Sequence, residues 1–491
     1  MMLRNSVKSS LNLRNCHTLL KKRTFKEITN NDISNFRKII GDNYVKENNI
    51  DSYNEDWMKW YKGKSKCVLL PKCMEEISEI VKYCYKENIA IVPQSGNTGL
   101  VGGSIPMFDE TILSLKRLRN NFTFDQTSGI VECDAGYILE EINDKLKEHG
   151  YMMPIDLGAK GSCFIGGNVA TCAGGIRLIK FGNIHANILG LDAVIGDKNG
   201  SILRMGSSLR KDNTDLHLTH LFVGSEGQLG IIGNVKILAV PYPNGISTSL
   251  LSVNTFDECK KVLQIAKSQL GENLTSFEFL DSDTLQCVNE FSKVPIPFNK
   301  IPRFALVIEC TSSEEDISSK KMENFLSICY DKNLVDDGIM TNGFNEGRGI
   351  WNIRESAPLS VTKEGYVYKY DMSLPIDYFY ELNNTMKKYL NDDKEELGIL
   401  RICSYGHLGD GNVHFNIISK HSTYDIYNRV HPYIYKWIVD HKGSISAEHG
   451  IGQLKQKYMS IGKDSTQMSI SRSIKNLFDP KGIFNPYKFI N

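Results

Sequence analysis

The spacing of apolar residues along 68–96 predicts a strand, a helix and a second strand. A short apolar run, CVLLP, comes first, and Ile77, Ile80 and Val81 then recur at the spacing of one helix face. The stretch IAIVP at 89–93 has the length and composition of a further strand. The strand GIVECDAG and an amphipathic helix follow in the same order. The first half of the chain is therefore predicted to mix helices and strands.

The pattern changes after the two prolines Pro241 and Pro243. Strand-like stretches such as SLLSV and FALVIEC then alternate with helical stretches. These changes predict one domain over 50–241, a second over 242–454 and a largely helical C-terminal segment over 455–491. A chain of 491 residues is too long for one compact core, which agrees with this division.

Composition narrows the class of protein without identifying it. The net charge is +1, which gives no case for nucleic acid as the main partner. No apolar run reaches the roughly 18 residues that a membrane span requires. The 12 cysteines form no CxxC pair, which indicates buried thiols in a reducing compartment. These features fit an ordinary globular protein.

The first 26 residues differ from the rest, because they contain seven lysines and arginines and no acidic residue. Basic, acid-free segments rich in serine and leucine are typical of mitochondrial presequences. The simpler alternative is a disordered basic tail. The composition favours a presequence over 1–26.

Three glycine-rich segments lie in the first half, at 93–104, 158–175 and 224–232. Glycine lets several backbone N–H groups converge on one phosphate. A Rossmann loop would lead directly into a helix, but here Pro106 and the strand-like TILSL follow the first segment. The first segment remains compatible with a pyrophosphate site in a fold other than the Rossmann fold. A long cofactor with phosphates and a ring system explains three such loops better than turns alone.

The segment HLGDGNVH predicts a site for chemistry, because Asp410-Gly411 is a turn signal that could bring His407 and His414 together. Glu448 and His449 follow later in SAEHG. Two histidines and one carboxylate make an open divalent site, with zinc favoured and manganese or cobalt as alternatives. The competing interpretation is that these histidines make ordinary hydrogen bonds. Spacing alone leaves His449 open as ligand or base.

Positive side chains that could bind an anionic substrate lie further upstream. Tyr366, Tyr368 and Tyr370 alternate with residues of the other strand face, so Lys369 shares its face with Asp371. Lysine and a nearby arginine in WNIRE can pair with carboxylates. Taken alone, both residues are better explained as ordinary surface charges.

Seven motifs in register resemble one family from about residue 55 to the C-terminus. They are PQSGNTGLVGGSIP, MPIDLGAKGSCFIGGNVATCAGG, LFVGSEGQLGII, GYVYKYDMSLP, YGHLGDGNVHFN, SAEHGIG and DPKGIFNPYK. The chain resembles the mitochondrial D-2-hydroxyglutarate dehydrogenases, within the vanillyl-alcohol-oxidase type of flavoprotein. The resemblance implies an α+β fold. A two-subdomain FAD-binding domain would hold an inserted α+β substrate-binding domain, and the helical C-terminal segment would complete the FAD domain.

The resemblance also assigns site residues. The predicted FAD contacts are Gln94, Ser95, Gly96, Asn97, Thr98, Gly99, Gly158, Ser162, Gly166, Gly167, Thr171, Gly174, Glu226 and Ile231. The predicted metal ligands are His407, His414 and Glu448, with His449 as the catalytic base. Substrate would be bound by Arg354, Lys369, Asn416 and Asn485. Because no histidine lies within 94–104, non-covalent FAD is expected.

The activity that the resemblance implies is oxidation of D-2-hydroxyglutarate to 2-oxoglutarate, with metal-assisted proton abstraction and hydride transfer to flavin N5. The expected acceptor is electron-transfer flavoprotein, a cytochrome or a quinone. The expected location is the mitochondrial matrix, and a homodimer is the assembly considered. Two residues depart from the family: Pro358 replaces a threonine and Cys172 an asparagine. The first departure keeps D-lactate dehydrogenase as the alternative. A metal hydrolase and a non-redox flavoprotein rank lower.

Overall fold

The computed structural model describes residues 25–490 and divides into two compact units. The N-terminal unit comprises 25–242 and 448–490, and the central unit comprises 243–447. The predicted presequence lies outside the described residues except for its last two. Those two belong to the fold, since the Lys26 ammonium lies 2.7 Å from Asp32 and 2.8 Å from Glu87.

Over its described residues, the N-terminal unit combines helices with three sheets. Its strands are β1 (Val45–Lys46), β2 (Val68–Leu69), β3 (Ile91–Gln94), β4 (Thr111–Ser114), β5 (Phe122–Asp125), β6 (Ile130–Asp134), β7 (Tyr151–Met152), β8 (Ile188–Val194), β9 (Ile202–Gly206), β10 (Ile231–Leu238) and β11 (Val240–Pro241). Its helices are α1 (Asn30–Ile40), α2 (Asp51–Asn54), α3 (Met74–Glu87), α4 (Leu139–Lys147), α5 (Ile165–Thr171), α6 (Leu178–Phe181), α7 (Ile184–Asn187), α8 (Thr219–Phe222) and, after the central unit, α15 (Ser465–Phe478).

One sheet of this unit has the order β1-β2-β4-β3, and a second, antiparallel sheet has the order β5-β6-β10-β8-β9. Helix α3 packs through Ile77, Ile80, Val81 and Cys84, which the apolar spacing had indicated, and ends at a left-handed Asn88. The predicted strands at 89–93 and 111–115 are β3 and β4. The C-terminal segment pairs with β3 through the hydrogen bond from Ile91 N–H to the Ile483 carbonyl.

The central unit is one antiparallel sheet covered by helices. Its strands are β12 (Gly245–Val253), β13 (Leu274–Asp281), β14 (Phe304–Ser312), β15 (Asp337–Asn342), β16 (Tyr366–Ser373), β17 (Ile399–His407) and β18 (Asn412–Ser419). Its helices are α9 (Phe256–Gln269), α10 (Ser282–Cys287), α11 (Glu315–Asp331), α12 (Phe344–Glu364), α13 (Glu381–Tyr389) and α14 (Tyr424–Asp440). The strand order is β15-β12-β14-β13-β17-β18-β16.

The boundary between the units differs from the predicted one at 454. The units divide after Ala447, so that Glu448 and His449 belong to the N-terminal unit. The reason is hydrogen bonding: Gln453 N–H donates to the Val101 carbonyl, and Ile451 N–H donates to the Glu226 carboxylate. Among residues 25–490, no helix is both long and apolar enough to cross a membrane.

Candidate active site

A cleft in the N-terminal unit is lined by all three glycine-rich segments. It encloses about 880 Å³ of empty space, including solvent at its mouth, which is the size expected for a cofactor site. Residues 95–99, the start of helix α5 and the segment 226–232 form its walls. The convergence of three loops of backbone N–H groups fits a dinucleotide with a pyrophosphate.

Gly96 illustrates why the cleft needs glycine. A Cβ atom at this position would overlap the carbonyl oxygen of Ser162, which belongs to the second glycine-rich segment. A Cβ at Gly99, in the same loop, would meet no heavy atom within 4 Å. The first loop therefore packs directly on the backbone of the second at Gly96 and is open at Gly99.

We expect Gly96→Ala to purify with less than about a tenth of the bound flavin of the wild type, because the two loops must separate to accommodate the methyl group. Gly99→Ala is the matched control, and it should keep near-stoichiometric flavin. The measurement is the ratio of flavin absorbance to protein after gel filtration. Equal flavin content in both variants would contradict the prediction.

The predicted cofactor residues fall into two groups. Those that line the cleft are Ser95, Gly96, Asn97, Thr98, Gly99, Gly166, Gly167, Thr171, Glu226 and Ile231. Gln94, Gly158, Ser162 and Gly174 are not among the lining residues, and for both groups the assignment to FAD stays a prediction. Gln94 instead braces the first loop, because its amide donates to the carbonyls of Tyr53 and Ser104 at 2.9 Å.

His449 lies in the wall of the same cleft. Its Nε2 is 4.0 Å from a carboxylate oxygen of Glu448, and the other Glu448 oxygen accepts a hydrogen bond of 3.1 Å from Gly175 N–H. The side-chain amide of Asn485 donates to the carbonyls of Gly103 and Glu226. The cleft thus combines glycine-rich walls with one imidazole.

In the central unit, strands β17 and β18 form the reversal that the sequence predicted. Asp410 and Gly411 lie in the turn, and His407 and His414 face each other with their Nε2 atoms 3.4 Å apart. Two nitrogens bound to one tetrahedral zinc are about 3.3–3.4 Å apart, given Zn–N distances of about 2.0–2.1 Å. The histidine pair therefore has the spacing of two metal ligands.

Glu278 on β13 was not predicted, and it connects two predicted site residues. One carboxylate oxygen accepts a hydrogen bond of 2.8 Å from His407 Nδ1, and the other accepts one of 2.8 Å from Arg354 Nε. Glu278 is 1% exposed. Burial opposes its charge, but the hydrogen bonds and electrostatic interactions with His407 and Arg354 outweigh burial and lower its pKa.

This contact fixes the tautomer of His407. With Nδ1–H donated to Glu278, the lone pair is left on Nε2, on the side of His414. Arg354, held through Nε, keeps its two terminal nitrogens for other partners. Its guanidinium carbon lies 5.1 Å from the ring centre of Tyr405, which in turn lies 5.3 Å from that of His414.

Asp371 on β16 is a second buried carboxylate beside the histidine pair. It lies 3.8 Å from His414 Nδ1 and accepts hydrogen bonds from the Asn412 side chain and from Ala447 N–H. The buried side chain of Asn416 donates to the His414 carbonyl at 3.2 Å. The face of β16 that carries Lys369 and Asp371 therefore adjoins the hairpin of β17 and β18.

Lys369 lies in an unusual environment for a lysine. Burial lowers the pKa of its ammonium to about 8. The ammonium donates a hydrogen bond of 3.3 Å to the carbonyl of Pro358, which lies within helix α12. Arg354 is on the same helix and is 5% exposed. Neither residue is the surface charge that the simpler interpretation allowed.

Sequence reasoning missed Glu278 and several residues that line the cleft. Pro93, Leu115, Phe164, Asn168, Gly230 and Ile232 are among the lining residues. A signal for Glu278 existed, since it is a lone carboxylate inside the otherwise apolar stretch FEFL. Its partners lie 76 and 129 residues further along the chain, so their identity could not be deduced.

The fold is that of the flavoproteins of the vanillyl-alcohol-oxidase type. The solved structure of p-cresol methylhydroxylase with substrate bound has a TM-score of 0.73 at 13% identity, over 93% of this chain and 96% of that one. At that identity the likeness shows the fold alone. The α+β architecture predicted from the sequence is confirmed.

The chain belongs to the family of FAD-linked oxidases. Residues 242–489 match the model for the C-terminal domain of FAD-linked oxidases, and residues 65–206 match that for the FAD-binding domain. The mitochondrial D-2-hydroxyglutarate dehydrogenase of Arabidopsis thaliana is 43% identical over 95% of this chain and 82% of its own length. A putative mitochondrial D-lactate dehydrogenase of Schizosaccharomyces pombe is 37% identical over 95% and 91%.

Proposed function

We propose that this FAD-linked oxidoreductase oxidises D-2-hydroxyglutarate to 2-oxoglutarate. The observation that carries the proposal is that the central unit holds two basic side chains, the buried Arg354 and the half-buried Lys369, together with a histidine pair at metal-ligand spacing. A dicarboxylate has two anionic ends, and two basic side chains can each bind one of them. Relatives whose names specify D-2-hydroxyglutarate support the same substrate.

The N-terminal cleft suits FAD, because the three glycine-rich segments line it. The first two of these segments are in backbone contact at Gly96. When bound, FAD supplies the two-electron acceptor for the hydride that leaves C2 of the substrate. The cofactor should be non-covalent, since no histidine lies within 94–104. The glycine-rich loops would hold the pyrophosphate through backbone N–H groups.

The donor set of the central unit suits a divalent cation, because two neutral imidazoles face each other at ligand spacing. We propose that His407 and His414 bind zinc and that Glu448 completes the set, as the sequence predicts. The metal, when bound, supplies positive charge that lowers the pKa of a hydroxyl group near it. Glu278 accepts a hydrogen bond from His407 Nδ1 and so orients Nε2 toward His414, and Asp371 lies beside His414.

His449 is the group we assign as general base, because it lies in the wall of the flavin cleft. Its imidazole would take the proton of the substrate hydroxyl. Arg354 would bind one carboxylate through its terminal nitrogens and Lys369 the other through its ammonium. Asn416 and Asn485 are the further substrate contacts predicted from the resemblance. Holding both ends of the substrate positions C2 for transfer.

The direct test is anaerobic flavin bleaching. D-2-hydroxyglutarate, D-lactate and their L forms are added separately to the purified protein with zinc present. The proposal expects loss of the flavin band with D-2-hydroxyglutarate at a kcat/KM at least about tenfold above that with D-lactate. Faster bleaching by D-lactate would favour the alternative substrate, which Pro358 supports. No bleaching by any of the four acids would reject the dehydrogenase assignment.

The pKa of about 8 at Lys369 predicts a pH dependence of substrate binding. Below this pH the ammonium is charged and binds a carboxylate; above it the neutral amine does not. The KM for D-2-hydroxyglutarate should therefore rise by about tenfold per pH unit above pH 8. Since D-lactate lacks the second carboxylate, its KM is the control and should stay nearly flat. Parallel rises for both acids would contradict this role for Lys369.

The cellular setting follows from the same relatives and from the basic N-terminus. We propose a mitochondrial location, in the matrix, with residues near the N-terminus as the presequence. Electron-transfer flavoprotein is the proposed acceptor for reduced FAD. Localisation of the full-length and N-terminally truncated chains tests the first proposal, and reduction of purified electron-transfer flavoprotein tests the second.

A further inference from the structure

The segment that follows Glu448 has no regular structure, although it carries the proposed base. From His449 to Leu454 the backbone forms neither helix nor strand, and Gly450 and Gly452 have φ values of +88° and +48°. Such a loop has little intrinsic preference for one conformation. Some other group must therefore hold the imidazole of His449 in place.

Glu226 holds this loop directly. One carboxylate oxygen accepts a hydrogen bond of 2.7 Å from Ile451 N–H, and the other accepts one of 2.8 Å from Gly452 N–H. Hydrogen bonds from N–H groups to a carboxylate are roughly twice as strong as neutral ones. The two donors lie two and three residues after His449, so they fix the backbone that presents the imidazole.

Glu226 is itself held in an unusual backbone conformation. Its φ is +52°, its N–H donates to the Ala170 carbonyl at 2.8 Å, and its carbonyl accepts from the Asn485 side chain at 2.8 Å. Gly450 packs against it so closely that a Cβ atom there would lie 2.7 Å from a Glu226 carboxylate oxygen. These contacts fix the position of the Glu226 carboxylate, and at position 450 they leave space only for a residue without a side chain.

We propose that Glu226 is a positioning residue for His449, and that its carboxylate orients the base loop instead of binding FAD. The inference rests on the proposed role of His449 as general base. A misplacement of about 1 Å in a reacting group costs on the order of 100-fold in rate. Loss of the two hydrogen bonds should therefore lower the rate of flavin reduction and leave flavin binding intact.

The test compares Glu226→Gln with Glu110→Gln. Both variants replace a carboxylate in the N-terminal unit whose charge partly offsets the effect of burial, which lowers the pKa of Lys488. The Glu110 carboxylate accepts its hydrogen bond from Phe108 N–H, whereas the Glu226 carboxylate accepts from Ile451 and Gly452. We expect Glu226→Gln to reduce kcat for flavin reduction by about 10–100-fold, with KM and flavin content within about twofold. The pH profile of kcat should also move. Glu110→Gln should retain the wild-type values.

Hydrogen–deuterium exchange provides a readout that does not depend on turnover. The amides of Ile451 and Gly452 should exchange at least tenfold faster in Glu226→Gln than in the wild type. In Glu110→Gln their exchange rates should equal those of the wild type. If the wild type fails to reduce flavin with any acid, the proposed function fails, and exchange still decides whether Glu226 holds the loop. Loss of flavin with unchanged exchange would overturn the inference.

A second pair of variants covers the case in which Glu226→Gln does not fold. Gly450→Ala places a methyl group against the carboxylate, whereas Gly150→Ala adds the same group at a φ of +73° with no heavy atom within 4 Å. Both introduce left-handed strain, but only the first disturbs the contact with Glu226. The first should show the slow kcat with retained flavin and the second should not. Equal kcat values in the two variants would overturn the inference.

Discussion

The His414→Asn variant is expected to lose zinc and to reduce flavin at least about 1,000-fold more slowly with D-2-hydroxyglutarate. His414 provides one of two Nε2 atoms at ligand spacing, and asparagine cannot replace an imidazole nitrogen at that distance. A bound divalent cation contributes several kcal/mol to a reaction that develops negative charge on oxygen, and each 1.36 kcal/mol corresponds to about tenfold in rate.

Zinc content after dialysis and stopped-flow flavin reduction measure the two effects. The control is His421→Asn, since His421 follows the same strand β18 but is exposed and is not one of the predicted ligands. Its zinc content and rate should equal those of the wild type. If His414→Asn keeps its zinc and reacts within threefold of the wild-type rate, the metal site lies elsewhere.

The Glu278→Gln variant is expected to lower kcat/KM by about 100- to 1,000-fold. The change removes the charge that holds Arg354 and the acceptor that fixes the tautomer of His407. Loss of a partner that orients a metal ligand costs about 10–100-fold in metal affinity or activity. The misplaced carboxylate-binding guanidinium adds to that loss. Leaving Arg354 buried without its carboxylate should also destabilise the central unit by about 3–5 kcal/mol.

A matched control separates the local effect from the general cost of a buried amide. Glu309→Gln changes a buried carboxylate on the neighbouring strand β14, which accepts a hydrogen bond of 2.9 Å from the Trp351 indole. Its kcat/KM should stay within about threefold of the wild type.

The double variant Glu278→Gln/Arg354→Gln separates stability from catalysis. Removing the unpaired charge should recover much of the stability, since the coupling of the two residues is largely electrostatic. Activity should remain low, because the guanidinium is absent. Recovery of activity together with stability would show that Glu278 acts through folding alone.

Local structure was predictable wherever a short stretch of sequence carried its own signal. Helix α3 follows from the spacing of Ile77, Ile80, Val81 and Cys84, because 3.6-residue periodicity places them on one face. The turn at Asp410-Gly411 predicted the pairing of His407 with His414, since both ends of a tight reversal meet. Strand alternation likewise gave Lys369 and Asp371 a common face.

The domain to which His449 belongs could not be predicted from the sequence. The predicted domain boundary near residue 454 followed composition, whereas the division after Ala447 follows hydrogen bonds to Glu226 and Val101, which are more than 200 residues away in the chain. The family resemblance predicted Glu226 itself as a cofactor contact. Its contacts with Ile451 and Gly452 became visible only in the folded unit.

The sequence by itself determined the glycine-rich cradle, the histidine hairpin and the family of FAD-linked oxidases, because these depend on short motifs whose geometry is local. Only the tertiary structure decided which carboxylates hold the site together. Glu278 contacts Arg354 and His407, which lie 76 and 129 residues further along the chain. A local sequence pattern cannot predict contacts between residues so far apart in the chain. Buried charges must find partners, but the packing of the sheet, not the sequence around each charge, determines which partners they find.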